Sequence, residues 1–425
     1  MPASAARACA YRVLRRVDEE AAFADRAFRS EADRAGLDAR DRAFAQRLAY
    51  GTIQRRRTID HVVDALASRP VDAPVLDALR LGVFQLLWMD SVPDRAAVDQ
   101  TVELVKEESP RAAGFANAVM RRAAREARVL VAALPTDSPV ALSHPDWLAE
   151  MWNEMLGRDE AVALMRADNE PAESALRANE LVTTRDDLLA ALAERGVDAE
   201  PAEPAEAVRV VAAFDAHGSD LFAEGLLMPQ SRASMTVART LDPQPGERVL
   251  DMCAAPGAKS THLAALMGGA GEVVAVEANE ARARELEENV RRMRASCVTV
   301  RHADAREPAG GEPFDRVLLD APCSDLGTLQ SRPDARWRKG PDRIAELATL
   351  QRELLASALA QVKPGGTFVY SVCTISPREG RGQLDWLLAS RPGLRLDGDP
   401  LQLLPHRDGT DGFFVARVVQ EPSPR

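Results

Sequence analysis

The chain is poor in cysteine, lysine and aromatic residues, and it has no long apolar run. Its five cysteines, Cys9, Cys253, Cys297, Cys323 and Cys373, are too few and odd in number for a disulfide framework. They suit free thiols in a reducing compartment. No stretch approaches the roughly 20 apolar residues that cross a bilayer, and the opening Met1–Cys9 segment lacks the apolar centre of a signal peptide. A cytoplasmic protein with no membrane partner is expected. Positive charge is also short, with a net charge of −11. That argues against a protein that coats nucleic acid non-specifically and leaves room for one that reads folded RNA with a local basic patch. No internal repeat is present, and 425 residues suffice for two or three domains with their own cores.

Residues 1–132 read as all-helical. Apolar positions recur at helical spacing, as in Ala10, Val13, Leu14 and Val17, and glycine is scarce. Helices are expected near Ala5–Ala21, Asp38–Gln54, Ile59–Ala67, Pro74–Asp90, Ala96–Glu108 and Arg111–Ala127. Two basic clusters stand out, Arg47 with Arg55-Arg56-Arg57 and Arg121-Arg122 with Arg125. Either could be a solvated helix face. The wording of Arg47-Leu-Ala-Tyr50-Gly51, Leu79-Arg-Leu-Gly82, Ala97-Val-Asp99 and Gly114-Phe-Ala-Asn117-Ala-Val-Met-Arg121 resembles the NusB-like RNA-binding domain. That resemblance implies docking of RNA through arginine forks, which match phosphate geometry.

Residues 133–225 carry a proline-marked linker, a short helical stretch around Trp147 and Trp152, and a small α/β subdomain. Strands are expected at Leu176–Asn179 and Ala207–Ala213, around a helix at Arg185–Arg195. This part either supports the following domain by packing or touches RNA.

Residues 226–421 alternate strands and helices in the manner of a parallel sheet. Strands are expected at Arg248–Met252, Glu272–Glu277, Val298–His302, Arg316–Asp320 and Thr367–Val372. A closing apolar strand at Asp411–Val418 should pair antiparallel. In such sheets ligands sit beyond the carboxyl ends of the strands. There the buried run Val317-Leu-Leu319 stops at Asp320-Ala-Pro-Cys323, and the run ending Tyr370-Ser-Val372 stops at Cys373. A single strand-end cysteine is more often a small buried hydrophobe. Two on what should be neighbouring strands point to chemistry.

The first strand leads into Cys253-Ala254-Ala255-Pro256-Gly257-Ala258-Lys259, a tight turn and a helix start. A dinucleotide fingerprint needs three spaced glycines and only Gly257 is present. A Walker loop needs glycine directly before the lysine, where Ala258 stands. What remains is a small-residue turn that lets the backbone approach a ligand, with Glu277 about 20 residues on, the spacing at which a carboxylate meets ribose hydroxyls. A ribose without pyrophosphate points to S-adenosylmethionine, with Asp304 placed for the adenine amino group. No metal is expected. Lys259 either holds substrate or a carboxylate, or is a solvated helix-start residue.

Together, Asp251-Met-Cys-Ala-Ala-Pro-Gly-Ala-Lys259, Asp320-Ala-Pro-Cys-Ser324 and Tyr370-Ser-Val-Cys-Thr374 resemble the signature motifs of the Nop/Sun family of RNA cytosine-5 methyltransferases. The match covers nearly the whole chain and is most similar to the bacterial RsmB or Sun branch, which methylates a cytosine in 16S rRNA. It implies a NusB-like helical domain, a small α/β subdomain and a Rossmann-like methyltransferase domain. The chain departs from the family pattern at Ala258, at Glu277 and in Arg378-Glu-Gly-Arg381. The resemblance implies Cys373 as the nucleophile that adds to ring carbon 6, Cys323 as the thiol that assists product release, and Asp320 as the group that bonds the cytosine edge and also belongs to the cofactor-binding set. Cytosine-5 DNA methyltransferases instead attack with the Pro-Cys thiol, so the residues alone would favour Cys323. A tRNA or another rRNA substrate, an amino-group methyltransferase and a non-catalytic RNA-binding scaffold are the competing readings. The two thiols argue against the last two. A monomer is expected. Finally, Arg332, Arg336, Trp337, Arg338 and Lys339 read as a mobile loop suited to single-stranded RNA, or else Trp337 is a packing residue.

Overall fold

A computed structural model of the chain describes residues 2–211 and 214–421. It forms two compact units. One runs to Pro171 and also contains Leu329–Gly340; the other contains Ala172–Thr328 and the chain from Pro341 onward. No helix among the described residues is long and apolar enough to cross a membrane.

The first unit is helical. Its helices are Ala5–Glu19, Ala24–Ala35, Ala39–Gln54, Arg56–Leu66, Ala73–Trp88, Asp94–Glu108, Ala113–Ala132, Asp146–Leu156 and Arg158–Ala167. Ser4 and Asp38 start two of them by accepting the Arg7 and Asp41 backbone N–H groups, which satisfies donors that a helix start leaves open. The helix at Ala24–Ala35 escaped the sequence reading for a physical reason. Its buried face is Ala24, Ala27, Phe28 and Ala32, mostly methyl groups with little hydropathy contrast, and it includes a buried acid. That acid, Glu31, is held by Arg12 and Arg16.

The second unit carries two sheets. In the smaller, β1 (Ala175–Ala178), β2 (Ala199–Pro201), β3 (Ala207–Val210) and β4 (Leu227–Pro229) pair antiparallel in the order β2-β3-β1-β4. The expected strand at Ala207–Ala213 is β3 as far as Val210, and Ala212 and Ala213 lie outside the described residues. The segment after Leu226 supplies β4 to this sheet before the helix Arg232–Leu241 begins.

The larger sheet contains β5 (Arg248–Asp251), β6 (Glu272–Glu277), β7 (Val298–His302), β8 (Phe314–Asp320), β9 (Val362–Val372), β10 (Leu394–Leu396), β11 (Leu401–Leu403) and β12 (Phe413–Gln420). The order is β10-β12-β9-β8-β5-β6-β7, with β11 also on β12. Strands β5 to β9 run parallel to one another and β12 runs antiparallel to β9. The strand expected at Thr367–Val372 begins earlier, because Lys363–Gly366 lies within β9 at an irregularity in its pairing with β8. Both faces of this sheet are covered, so its central strands read as unbroken apolar runs. Val317 and Leu319 pack on one side with Phe368, Tyr370, Leu354 and Leu355. Leu318 and Val369 pack on the other with Val237, Leu241 and Leu263.

The basic segment after Cys323 is not a mobile RNA platform. It is folded into the helical unit. Arg336 is wholly buried and donates to the carbonyls of Gln54 and Ser143 at 3.1 Å, to Asp168 O at 2.9 Å and to Asn169 Oδ1 at 2.9 Å. The Trp337 indole donates to Ile53 O at 2.8 Å, and Arg338 pairs with Asp334 and lies over the Phe23 ring. Four acceptors on its Nη atoms offset much of the cost of burying the guanidinium, while Nε has no partner among the described residues; a buried charge is costly to the extent that its donors are unmatched. Much of the first basic cluster is likewise engaged internally. Arg55 lies over Trp88, Arg56 pairs with Asp18, and Arg57 pairs with Asp146. Arg47, Arg121 and Arg125 remain exposed.

Replacing Arg336 by Met keeps the bulk and strands several buried carbonyls. Arg336→Met should lower stability by about 3 kcal/mol, read as an earlier urea midpoint by tryptophan fluorescence. An unchanged midpoint with weakened RNA binding would instead restore the platform role.

Candidate active site

Because β8 and β9 are parallel with Asp320 opposite Ser371, the turns that follow them begin side by side. Their two cysteines meet: the Sγ atoms of Cys323 and Cys373 lie 3.3 Å apart. Asp320 is fixed from two directions. Ser371 Oγ donates to its Oδ1 at 2.7 Å, and Lys259 Nζ pairs with its Oδ2 at 2.7 Å. Lys259 is thus neither solvated nor free; it ties the start of the helix Ala258–Leu266 to the tip of β8 and lies 5.5 Å from the Phe413 ring centroid.

A buried acid holds the cysteine turn in shape. Glu379 accepts from Ser324 N at 2.9 Å, Ser324 Oγ at 2.5 Å and Gln351 Nε2 at 3.2 Å. Gln351 also donates to Pro322 O at 2.9 Å, and Tyr370 Oη donates to Glu379 O at 2.6 Å. Ser324 Oγ further meets Thr374 Oγ1 at 2.8 Å, so the turns carrying the two thiols share one hydrogen-bonded network. Gly327 closes it. Its N–H donates to Cys373 O at 3.1 Å and its carbonyl accepts from Gly412 N at 2.7 Å. A Cβ there would stand 1.9 Å from Gly412 O, so the close backbone approach requires glycine.

The thiols differ in setting. Cys323 is buried and Cys373 is half-buried. The hydrogen bond to Cys373, followed by burial, holds the Cys323 thiol well above its ordinary range, so Cys323 keeps its proton. Burial works against the charge on Lys259, but Asp320, with Cys373 and Asp251 behind it, keeps the ammonium above the usual lysine value. Asp251, buried at the end of β5, is pushed up to about 6 by burial even though Ser260 Oγ donates to it at 2.7 Å. Burial and the surrounding carboxylates also raise the Cys253 thiol. A raised thiol disfavours the thiolate that a nucleophile needs.

The expected cofactor residues line the carboxyl ends of β5, β6 and β7. Cys253 to Gly257 form the turn after β5, and the helix starting at Ala258 follows. Gly257 has φ +104°, and a Cβ on it would meet Leu286 Cδ1 at 2.7 Å. At Ala258 the backbone is helical, so the missing second glycine has no conformational consequence. Glu277 ends β6. Its Oε1 accepts from Asn279 N at 2.9 Å, and Arg282 stands 3.5 Å from its Oε2. Asp304 follows β7 and is held by Arg306 N at 2.9 Å and by the Arg306 guanidinium at 2.6 Å, which keeps its carboxyl below the usual range. A turn of small residues, the Glu277 carboxylate at the end of β6 and the side chains of Asp251 and Asp320 fit a ligand that joins an adenosine to a sulfonium cation.

Two groups were missed from the sequence. Asp325 lies two residues past Cys323 and accepts from Cys373 Sγ at 3.4 Å. Its proximity to a known motif was the only available signal. Glu379 sits in Arg378-Glu-Gly-Arg381, noted only as a departure from a family pattern. Its partner Ser324 is 55 positions away, and no local periodicity connects them.

Comparisons with known proteins agree along the chain. Residues 4–125 match the NusB family, 144–217 match the ferredoxin-like domain of RsmF/B-like methyltransferases, and 238–419 match 16S rRNA methyltransferase RsmB/F. Ribosomal RNA small subunit methyltransferase B of Vibrio cholerae is 36% identical over 90% of this chain and 90% of its own. The Bacillus subtilis protein named "Probable ribosomal RNA small subunit methyltransferase B" is 32% identical over 98% of this chain and 99% of its own. Among solved structures, PH0851 has a TM-score of 0.85 at 28% identity, covering 98% of this chain and 99% of its own. A methyltransferase homolog protein from Pyrococcus horikoshii has a TM-score of 0.59 at 29% identity, covering 66% of this chain and 97% of its own. This chain belongs to the RsmB family of S-adenosylmethionine-dependent 16S rRNA methyltransferases.

Proposed function

We propose that this enzyme methylates carbon 5 of a cytosine in 16S rRNA through a covalent adduct, with Cys373 as the nucleophile. The observation that carries the reading is the pair of thiols 3.3 Å apart beside an aspartate fixed by Lys259 and Ser371. Carbon 5 of cytosine is too weak a nucleophile to take a methyl group unaided. Addition of a thiolate at carbon 6 makes carbon 5 enolate-like, and sulfur suits the task because it both adds and leaves readily.

Each protein group has a role in that sequence. Cys373, the more exposed thiol, adds to carbon 6. Asp320 bonds the amino or ring-nitrogen edge of the base and stabilises charge that develops there; its own charge is balanced by Lys259. Cys323, a retained S–H beside the reacting sulfur, assists elimination and product release. Cys253 to Lys259, Glu277 and Asp304 hold S-adenosylmethionine, which supplies an electrophilic methyl group. Glu379 touches no reacting atom and acts as a positioning residue, because it sets where the Cys323 turn lies relative to β9. The target base has to leave its stack to reach the thiols, so an unpaired or loop cytosine is the substrate of choice.

With labelled S-adenosylmethionine and deproteinised 16S rRNA, wild type should place label in 5-methylcytosine and Cys373→Ala should place none. Cys323→Ala should accumulate a denaturation-resistant protein–RNA adduct. Label transferred by Cys373→Ala at wild-type rate would overturn the assignment of the nucleophile. Glu379→Gln weakens the hold on Ser324 without touching cofactor residues. It should reduce kcat about 10²-fold, the usual cost of a misplacement near 1 Å, and leave the Kd for S-adenosylmethionine unchanged. A raised Kd with unchanged kcat would show that Glu379 serves the cofactor side.

A further inference from the structure

The reading above leaves unassigned how Cys373 loses its proton. Among the described residues, the sulfur of Cys373 makes hydrogen-bond contacts with Cys323 Sγ at 3.3 Å and Asp325 Oδ1 at 3.4 Å. The two sulfurs and a carboxylate oxygen of Asp325 all lie within 4.8 Å of one another. A carboxylate can only accept, so the Cys373 S–H points to Asp325 and the Cys323 S–H is left to donate to Cys373. The contacts therefore form a directional chain, Cys323 to Cys373 to Asp325. A nucleophile within hydrogen-bond reach of a base, with a donor ready behind it, is the arrangement that activates a weak nucleophile.

The backbone agrees with a placed carboxylate. Asp325 has φ +60°, a left-handed conformation that costs most side chains about 1–2 kcal/mol and that Asp and Asn tolerate best. Its carbonyl accepts from Thr328 N at 3.0 Å and Thr328 Oγ1 at 2.9 Å, which fixes the turn from its far side. The charged neighbours do not offer Cys373 a second base. Lys259 is protonated against Asp320, and the Glu379 carboxylate is engaged by Ser324 and Gln351.

We propose that Asp325 is the general base for Cys373, a catalytic residue beyond the two thiols and Asp320. As the Cys373 S–H bond breaks, its proton passes to Asp325 Oδ1 while the sulfur electron pair forms the bond to carbon 6. The π pair of the carbon 5–carbon 6 bond then becomes the reactive pair at carbon 5. Cys323 keeps its proton and donates a hydrogen bond to the sulfur while that sulfur carries charge. On release the carbon 5 proton is lost to solvent, the sulfur–carbon 6 bond breaks, and the departing thiolate recovers its proton from Asp325. The cycle returns every protein group to its starting state.

This proposal rests on Cys373 being the nucleophile, and its test separates the two. A 16S rRNA fragment transcribed with 5-fluorocytidine traps the adduct, because fluorine at carbon 5 blocks elimination. Adduct formation is followed on denaturing gels for wild type, Cys373→Ala, Asp325→Asn and Asp325→Gly, with S-adenosylmethionine present. Both Asp325 substitutions suit a positive φ and should preserve the turn. The expected result is about 10²-fold slower adduct formation for Asp325→Asn and Asp325→Gly, within the usual range for a general base. Raising the pH should restore much of the lost rate in both variants, because a thiolate formed by solvent hydroxide no longer needs the carboxylate. An adduct that requires Cys373 and forms at wild-type rate without the Asp325 carboxylate overturns the proposal alone. An adduct that survives Cys373→Ala overturns the nucleophile and the proposal together. A deficit in both variants that does not narrow as the pH is raised would mark Asp325 as merely structural.

Discussion

The active site depends on one backbone contact, the parallel pairing of β8 with β9 that sets Asp320 opposite Ser371. Neighbouring strands lie about 4.8 Å apart. Two turns leaving adjacent carboxyl ends therefore start within side-chain reach of each other, whatever the 50 intervening residues do. The Ser371–Asp320 hydrogen bond and the sulfur–sulfur contact follow from that register. A shift of one residue in β9 would turn Ser371 to the opposite face and remove both.

Strand pairing alone does not hold a turn, because the chain beyond a strand end has no ladder to rely on. Here the restraint comes from a buried carboxylate and two glycines. Glu379 accepts three hydrogen bonds from groups on or under the Cys323 turn, and the Gly327–Gly412 approach locks that turn to the start of β12. A buried carboxylate with satisfied acceptors is rigid for the reason that an unsatisfied one is costly: in low dielectric each lost partner is a large fraction of the total. The precision that covalent catalysis demands is supplied by groups that never meet the substrate.

Much of this was legible in the sequence, and the failures are specific. Strands with branched residues and abrupt polar ends could be read almost to the residue: β6 and β7 run Glu272–Glu277 and Val298–His302, as expected. Helices with a contrast between leucine-type and charged faces could also be read. The helix at Ala24–Ala35 could not, because alanine supplies its buried face. The pairing of Cys323 with Cys373 was foreseeable from topology. The roles of Glu379 and Asp325 were not, since each depends on a partner that only the folded chain brings near. The segment containing Arg336 and Trp337 misled for the opposite reason. Clustered arginines suggest a nucleic-acid surface, yet the same guanidinium geometry that grips phosphate also satisfies four acceptors at converging helix ends and loops. Composition cannot tell these apart; only the acceptors can.

On the proposed mechanism, burial suits the two thiols to different work. A thiol that must attack has to lose its proton and reach a base from solvent, which favours the half-buried Cys373. A thiol that must stabilise its neighbour has to keep its proton under all working conditions. Cys323, buried behind Pro322 and bonded to the other sulfur, is held in that state. Were both thiols equally exposed, either could ionise first and the chain of donors would lose its direction. The carboxylate of Asp325 on the far side of Cys373 makes the asymmetry complete, because it accepts from one sulfur what the other has no means to give up. On the proposed assignment, two identical side chains and one carboxylate act as a donor, a nucleophile and an acceptor in fixed order.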